Sequence, residues 1–244
     1  MKLFYGLVLI AWMGSSFAAE KAPEPISFIA SAKVMIDDQG VPQQVQPHEK
    51  LPAVIKDAIE QRVKAWRFEP ARIDGVAKSG VTYVYLTTCA VTSPGKGMAL
   101  SMNYLSNGPG YADGHLRMPA PRYPTEAARN GNEGSFRVVT QISAEGRASI
   151  ESIETEKGNL KRFEKSLKEW MKSIRFLPEE VDGAPIATRM GVPVDFFLED
   201  GESSGSKRLK EAKRSPECMA ATGQTIDPTQ PVVLDSPFKP RSTS

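Results

Sequence analysis

The sequence "KSIRFLPEEVDG" at residues 172–183 repeats the pattern of "KAWRFEPARIDG" at residues 64–75. Both segments hold an Arg-Phe pair, a Pro two residues after the Phe, and an Asp-Gly pair at the end. The shared residues stand 108 positions apart throughout, and chance similarity rarely keeps one register over a whole segment. The sequence therefore predicts an internal duplication.

An amphipathic helix is predicted before each repeated segment, because apolar residues recur there at helical spacing. These residues are Leu51, Ile55, Ile59, Val63 and Trp66 before the first segment, and Leu160, Phe163, Leu167, Trp170 and Ile174 before the second. Pro70 and Pro178 cannot continue the helices, since proline lacks the backbone N–H. The Asp-Gly pairs then predict tight turns, because glycine supplies a positive φ.

Strands are predicted on both sides of each helix. Hairpin patterns with a turn glycine precede the helices at 32–45 and 136–154, and runs rich in β-branched and aromatic residues follow them at 80–88 and 190–198. We therefore predict an α+β fold of two small modules, at 26–92 and 119–200. In each, an antiparallel sheet in the order strand-strand-helix-strand packs against one helix.

The remaining segments have the composition of connections. Residues 93–118 are dense in Gly, Pro, Asn and Ser, which predicts a linker, and "MALSMNYLS" within it alternates enough to form an extra strand. Residues 201–244 lack apolar periodicity, so we predict a mobile tail.

The first residues predict export. Lys2 precedes an apolar run at 3–13 and a small-residue exit, so 1–19 is expected to be a signal peptide cleaved after Ala18 or Ala19. The run is shorter than the roughly 20 residues that span a bilayer, although an uncleaved anchor is the alternative. We expect no integral membrane span after cleavage. The net charge of +2, from 31 basic and 29 acidic residues, argues against a nucleic-acid partner.

The two cysteines, Cys89 and Cys218, form a candidate disulfide if the chain is exported to an oxidising compartment. Unpaired thiols or pairing between chains are the alternatives. Neither histidine, His48 or His115, has a metal ligand or a nucleophile at a suitable spacing. We therefore expect no catalytic site, metal or cofactor, and the protein is not expected to be an enzyme. A hydrolase that uses one of the two histidines is a third reading.

Residues 119–200 resemble the C-terminal domain of TonB-type energy transducers. The resemblance rests on Pro121-x-Tyr123-Pro124, Ala127, Glu133-Gly134, the hairpin with Gly146, and Arg175-Phe176-x-Pro178. The first repeat is similar to the same domain in Trp66-Arg67-Phe68-x-Pro70, and lacks the features that precede the hairpin.

The resemblance implies a periplasmic protein-binding protein. Domains of this type recognise an extended segment of an outer-membrane transporter by adding it to a sheet edge, so the expected partner is such a segment or another envelope protein. The strand at Val192, Val194 and Phe196 is the expected binding place, unless these residues are ordinary core. Pro193 suits an edge strand, because it lacks an N–H. The alternative function is a structural envelope protein that self-associates.

Overall fold

The computed structural model describes residues 26–93, 97–114, 118–198 and 231–243. The predicted signal peptide, with Ala18 and Ala19, lies outside the described residues, as do His115 and Cys218.

Strands dominate both halves, with one main helix in each. The first half contains, in chain order, β1 (Ile26–Ile36), β2 (Pro42–Pro47), α1 (Ala53–Lys64), β3 (Arg67–Glu69), β4 (Ala71–Ile73), β5 (Val76–Lys78), β6 (Gly80–Ser93), β7 (Gly97–Gly108) and β8 (Gly110–Tyr111). The second half contains α2 (Thr125–Arg129), β9 (Gly134–Ile142), β10 (Ala148–Lys157), a 3-10 turn (Leu160–Arg162), α3 (Glu164–Ser173), β11 (Phe176–Leu177), β12 (Glu180–Val181), β13 (Ala184–Pro185), β14 (Thr188–Phe196), β15 (Val232–Val233) and β16 (Lys239–Ser242).

The first sheet is built around the long strand β6. One side of β6 pairs with β1 from Gly80 to Ala90, and β1 continues to β2. The other side pairs with β7 from Tyr83 to Ser93. At Gly80 and Val81, the short strand β12 from the second half pairs with the same side of β6. Both sides of β6 are thus covered by strands.

The second sheet has the order β10-β9-β14-β15, and all of its pairs are antiparallel. Strand β14 pairs with β9 in unbroken register over its whole length, from Thr188 opposite Ile142 to Phe196 opposite Gly134. The predicted α+β class is therefore confirmed at the level of mostly antiparallel sheets with a few helices.

Each main helix buries the apolar face that its sequence predicts. Helix α1 buries Ile55, Ile59 and Val63, and α3 buries Leu167, Trp170 and Met171. The helices cover two separate apolar cores. The first holds Trp66 and Phe68 among other residues, and the second is rich in stacked and edge-on rings at Tyr123, Phe136, Phe163 and Phe196.

The repeated segments join each helix end to the turn of the preceding hairpin. Phe68 N donates a hydrogen bond to Gly40 O at 2.9 Å, and Phe176 N donates one to Gly146 O at 3.0 Å. Both glycines have a positive φ, 81° at Gly40 and 74° at Gly146, and both lie against the Phe backbone. A Cβ on Gly146 would stand 2.1 Å from Phe176 O, so only glycine fits there.

The linker contains a strand where the sequence allows an extra one, and the tail contains strands that the sequence does not predict. Residues 97–108, within the predicted linker at 93–118, form the full-length strand β7. Residues 231–243, within the predicted mobile tail at 201–244, form β15 and β16. We call residues 231–243 the C-terminal strap. It is held by strand pairing with both halves and by the burial of Phe238 in the first core.

Candidate functional site

The three residues expected to bind a partner lie on β14, and their side chains face the core. Val192, Val194 and Phe196 are only 3%, 5% and 3% exposed and pack in the second apolar core. A strand added beside β14 would therefore contact it mainly through the backbone, and the binding role of these three residues stays a prediction. The sequence prediction located the strand but not its orientation, because alternation within one short strand does not indicate which set of residues lies beneath the helix.

The outer side of β14 is identified by its contacts with the C-terminal strap. Leu234 N donates to Arg189 O at 2.9 Å, and Arg189 N donates to Asp235 Oδ1 at 2.6 Å. Backbone groups in an antiparallel strand point to alternate sides, so Gly191, Pro193 and Asp195 point to the same side as Arg189. Pro193 thus directs its missing donor outward, as its predicted edge position requires.

Strand β15 occupies the beginning of this outer side. Val233 pairs with Met190 and Val232 with Gly191, in an antiparallel arrangement. This pairing buries little of two apolar side chains, since Val232 is 47% exposed and Leu234 is 42% exposed. Hydrogen bonds and the partly buried Val233 therefore hold the strap on β14, whereas Val232 and Leu234 contribute little burial.

The rest of the strap is anchored in the first half. Phe238 is completely buried in the first apolar core. Its carbonyl oxygen accepts a hydrogen bond from Asn107 Nδ2 at 2.9 Å, and Pro240 in β16 pairs with Phe68 in β3. One short segment thus contacts both halves of the molecule.

A buried polar cluster lies where the two halves and the strap meet. Glu179 is completely buried, and its Oε1 accepts hydrogen bonds from Thr82 Oγ1 at 2.6 Å and Ser236 Oγ at 2.7 Å. Its Oε2 has no hydrogen-bond partner among the described residues. Burial raises the pKa of Glu179 to about 7, a rise that the hydrogen bonds from Thr82 and Ser236 oppose and the nearby Asp235 increases.

Glu179 is expected to make stability depend on pH. The unfolded carboxyl loses its proton near pH 4.5, whereas the folded one keeps it until about pH 7. The unfolding free energy should therefore fall as pH rises through this window, by on the order of 3 kcal/mol in total. Urea unfolding of Glu179→Gln, which mimics the neutral carboxyl, should show a flatter pH profile between pH 5 and 7. The exposed control Glu154→Gln should keep the wild-type slope, and an unchanged slope in Glu179→Gln would contradict the assignment.

The remaining residues that the sequence analysis considered are His48 and Cys89. His48 follows β2, its Nδ1 accepts a hydrogen bond from Lys50 N at 3.2 Å, and burial lowers its pKa. Cys89 is buried on β6, and because Cys218 is outside the described residues, the disulfide stays a prediction. Within 26–93, 97–114, 118–198 and 231–243, no three His, Cys, Asp or Glu residues form a group that could hold a metal ion.

The motif residues Tyr123 and Glu133, which precede β9, make contacts that hold this segment in place. Tyr123 OH donates to Asn132 O at 2.7 Å, and its ring packs edge-on against Phe196 with centroids 5.3 Å apart. Glu133 Oε1 accepts a hydrogen bond from Leu198 N at 3.0 Å. These contacts tie the segment before the hairpin to the end of β14.

The part of the chain that is similar to known proteins lies in the second half. Residues 119–198 match the family of the Gram-negative bacterial TonB protein C-terminal domain. A curated relative, protein TonB of Vibrio cholerae serotype O1, is 32% identical to this chain over 79 residues. That match covers 32% of this chain and 32% of the relative, so the chain matches about a third of the relative's length.

The TonB-like region contains β14, α3 and the second core. Among the residues that the structure describes, no helix is both long enough and apolar enough to cross a membrane. The strap lies outside the TonB-like region, and the sequence did not predict its pairing with β14. The available signal was "PVVLDSPF" at 231–238, a short apolar cluster that ends a long polar stretch.

Proposed function

We propose that this protein is an exported, periplasmic protein-binding protein that recognises an extended segment of an outer-membrane transporter or another envelope protein. The segment is added to the outer side of β14 as a new strand. The protein is not an enzyme in this proposal and uses no cofactor. The similarity of residues 119–198 to the TonB C-terminal domain supports this class of function.

The pairing of β15 with β14 is the observation that carries the proposal. A strand from a distant part of the chain already lies antiparallel on this side of β14, held at Arg189 by one backbone hydrogen bond and by one to the Asp235 side chain. Main-chain pairing of this kind requires little of the added side chains and is how sheet edges bind extended peptides. A partner strand that follows the same register would contact β14 through the backbone at Arg189, Gly191 and Pro193.

We infer that the two halves are tandem modules, 26–92 and 119–200, of which the second binds and the first supports it. The equivalent hydrogen bonds from Phe68 to Gly40 and from Phe176 to Gly146 support the duplication. In the first half the strand equivalent to β14 is β6, and β7 covers its outer side. The first module therefore offers no matching edge.

Site-specific photocrosslinking tests the proposal in cells. A photoreactive amino acid at Pro193 is placed on the outer side of β14. The matched control probe is at Glu154 in β10, at the opposite end of the same cross-strand row, because both residues pair with Arg137. We expect the Pro193 probe to capture an outer-membrane or envelope protein that the Glu154 probe does not capture.

Two results would contradict edge recognition. Equal capture from both probes would indicate contacts that do not depend on β14. Crosslinks solely between copies of this chain would favour the alternative function, a self-associating structural envelope protein.

A further inference from the structure

The C-terminal strap lies on the same side of β14 that the proposed function assigns to the partner. Strand β15 pairs with Met190 and Gly191, and the backbone N–H of Arg189 is bound by the Asp235 carboxylate. An added strand cannot form these same hydrogen bonds while the strap holds them, because each residue has one backbone N–H donor and one C=O acceptor.

The strap is held unequally at its two ends. Phe238 is fully buried in the first core, and β16 pairs with β3, so the far end is fixed. The end on β14 is held by two paired residues, by the hydrogen bonds with Arg189 and by the partly buried Val233, and its other apolar side chains are exposed. The weak end can therefore leave β14 while Phe238 keeps it nearby at a high effective concentration.

We propose that residues 231–235 are a built-in ligand that occupies the binding edge of β14 and must be displaced before a partner strand can bind. This inference rests on the proposed function, since it concerns the same edge. It also describes the partner's chemistry. The segment that replaces the strap is extended, carries β-branched or other apolar residues opposite Met190 and Gly191, and places an acidic side chain within reach of Arg189 N.

The surroundings of Arg189 fit an acidic residue at that place. The Arg189 guanidinium forms two hydrogen bonds with Glu151 on β10, each at 2.8 Å, so the side chain is turned away from the strap. The Asp235 carboxylate accepts a hydrogen bond from the Arg189 backbone N–H, and its charge is also favourable to the Arg189 guanidinium. A short polar acceptor without a carboxylate would form a weaker hydrogen bond there.

The test uses the full chain and a synthetic peptide of residues 229–236 as the probe. The double variant Leu234→Pro, Asp235→Ala removes the donor to Arg189 O and the acceptor from Arg189 N, and it leaves Phe238 and β16 unchanged. Peptide binding is followed by NMR at the backbone amides of Arg189 and Gly191, up to millimolar peptide. We expect saturable binding to the double variant that is at least about tenfold tighter than to the wild-type chain.

Matched variants separate displacement from general loosening. Leu234→Ala keeps the backbone N–H and should bind the peptide with the affinity of the wild type. The affinity of Asp235→Ala for the peptide should lie between those of the wild type and the double variant. A peptide that carries Pro at the position of Leu234 should not bind any of them. Equal binding to wild type and double variant, or no binding to either, would overturn the inference.

The outcome is distinguishable from failure of the proposed function. If the double variant binds the peptide but no envelope protein is captured from position 193, the built-in ligand stands and the proposed partner class fails. If capture from position 193 is the same with and without the double substitution, the partner class stands and the built-in ligand is overturned.

Discussion

Phe238→Ala is expected to lower the unfolding free energy by about 3 to 5 kcal/mol, a loss typical of a buried aromatic residue. Phe238 belongs to the segment that the sequence predicts as a mobile tail, yet it is 0% exposed and packs in the first core. Its removal leaves a cavity beside Gly80, whose Cα lies against the Phe238 ring. Equilibrium urea unfolding of the full chain measures the effect.

Val232→Ala provides the control in the same strap. Val232 is 47% exposed, so its truncation should change stability by about 0.5 kcal/mol or less. If Phe238→Ala were as mild as this control, the strap would not be part of the first core.

Gly146→Ala adds a single methyl group, yet it is expected to lower the unfolding free energy by more than about 3 kcal/mol. Gly146 has a φ of 74°, and a Cβ there would lie 2.1 Å from Phe176 O, so the hairpin turn must move away from the helix end. The left-handed backbone by itself accounts for about 1 to 2 kcal/mol. The rest comes from the displaced contact between Gly146 and Phe176.

Gly183→Ala separates the two contributions. Gly183 has a similar φ of 78°, but a Cβ at this position would meet no atom within 4 Å. Thermal or urea unfolding should therefore show a loss of only about 1 to 2 kcal/mol, from the backbone strain. Similar losses for both variants would mean that the turn at Gly146 can shift without harm.

The sequence predicts local structure well where one face of an element is buried. The periodic apolar residues locate α1 and α3, and both Asp-Gly pairs form turns with positive φ at both residues. The hairpin at β9 and β10 follows from alternation around Gly146. These features depend on neighbours in the sequence, so the local pattern contains the information.

The candidate site could not be predicted to the same extent. The strand at Val192 was predicted, but which of its side chains face the core depends on the face of the sheet that α3 covers. The pairing of β15 with β14, and of β12 with β6, joins residues far apart in the chain, which no local pattern encodes. The buried Glu179 follows a proline in the repeated segment, and nothing beside it indicates that Thr82 and Ser236 will enclose it.

The position of Phe238 also affects the order of events during folding. The first core closes around a residue that follows the second half in the chain, so the first half cannot reach its final packing until the second half has been synthesised. Contacts between such distant residues slow the search for the native state. A chain shortened before Phe238 should therefore show an incomplete first core even though every strand of that sheet is present.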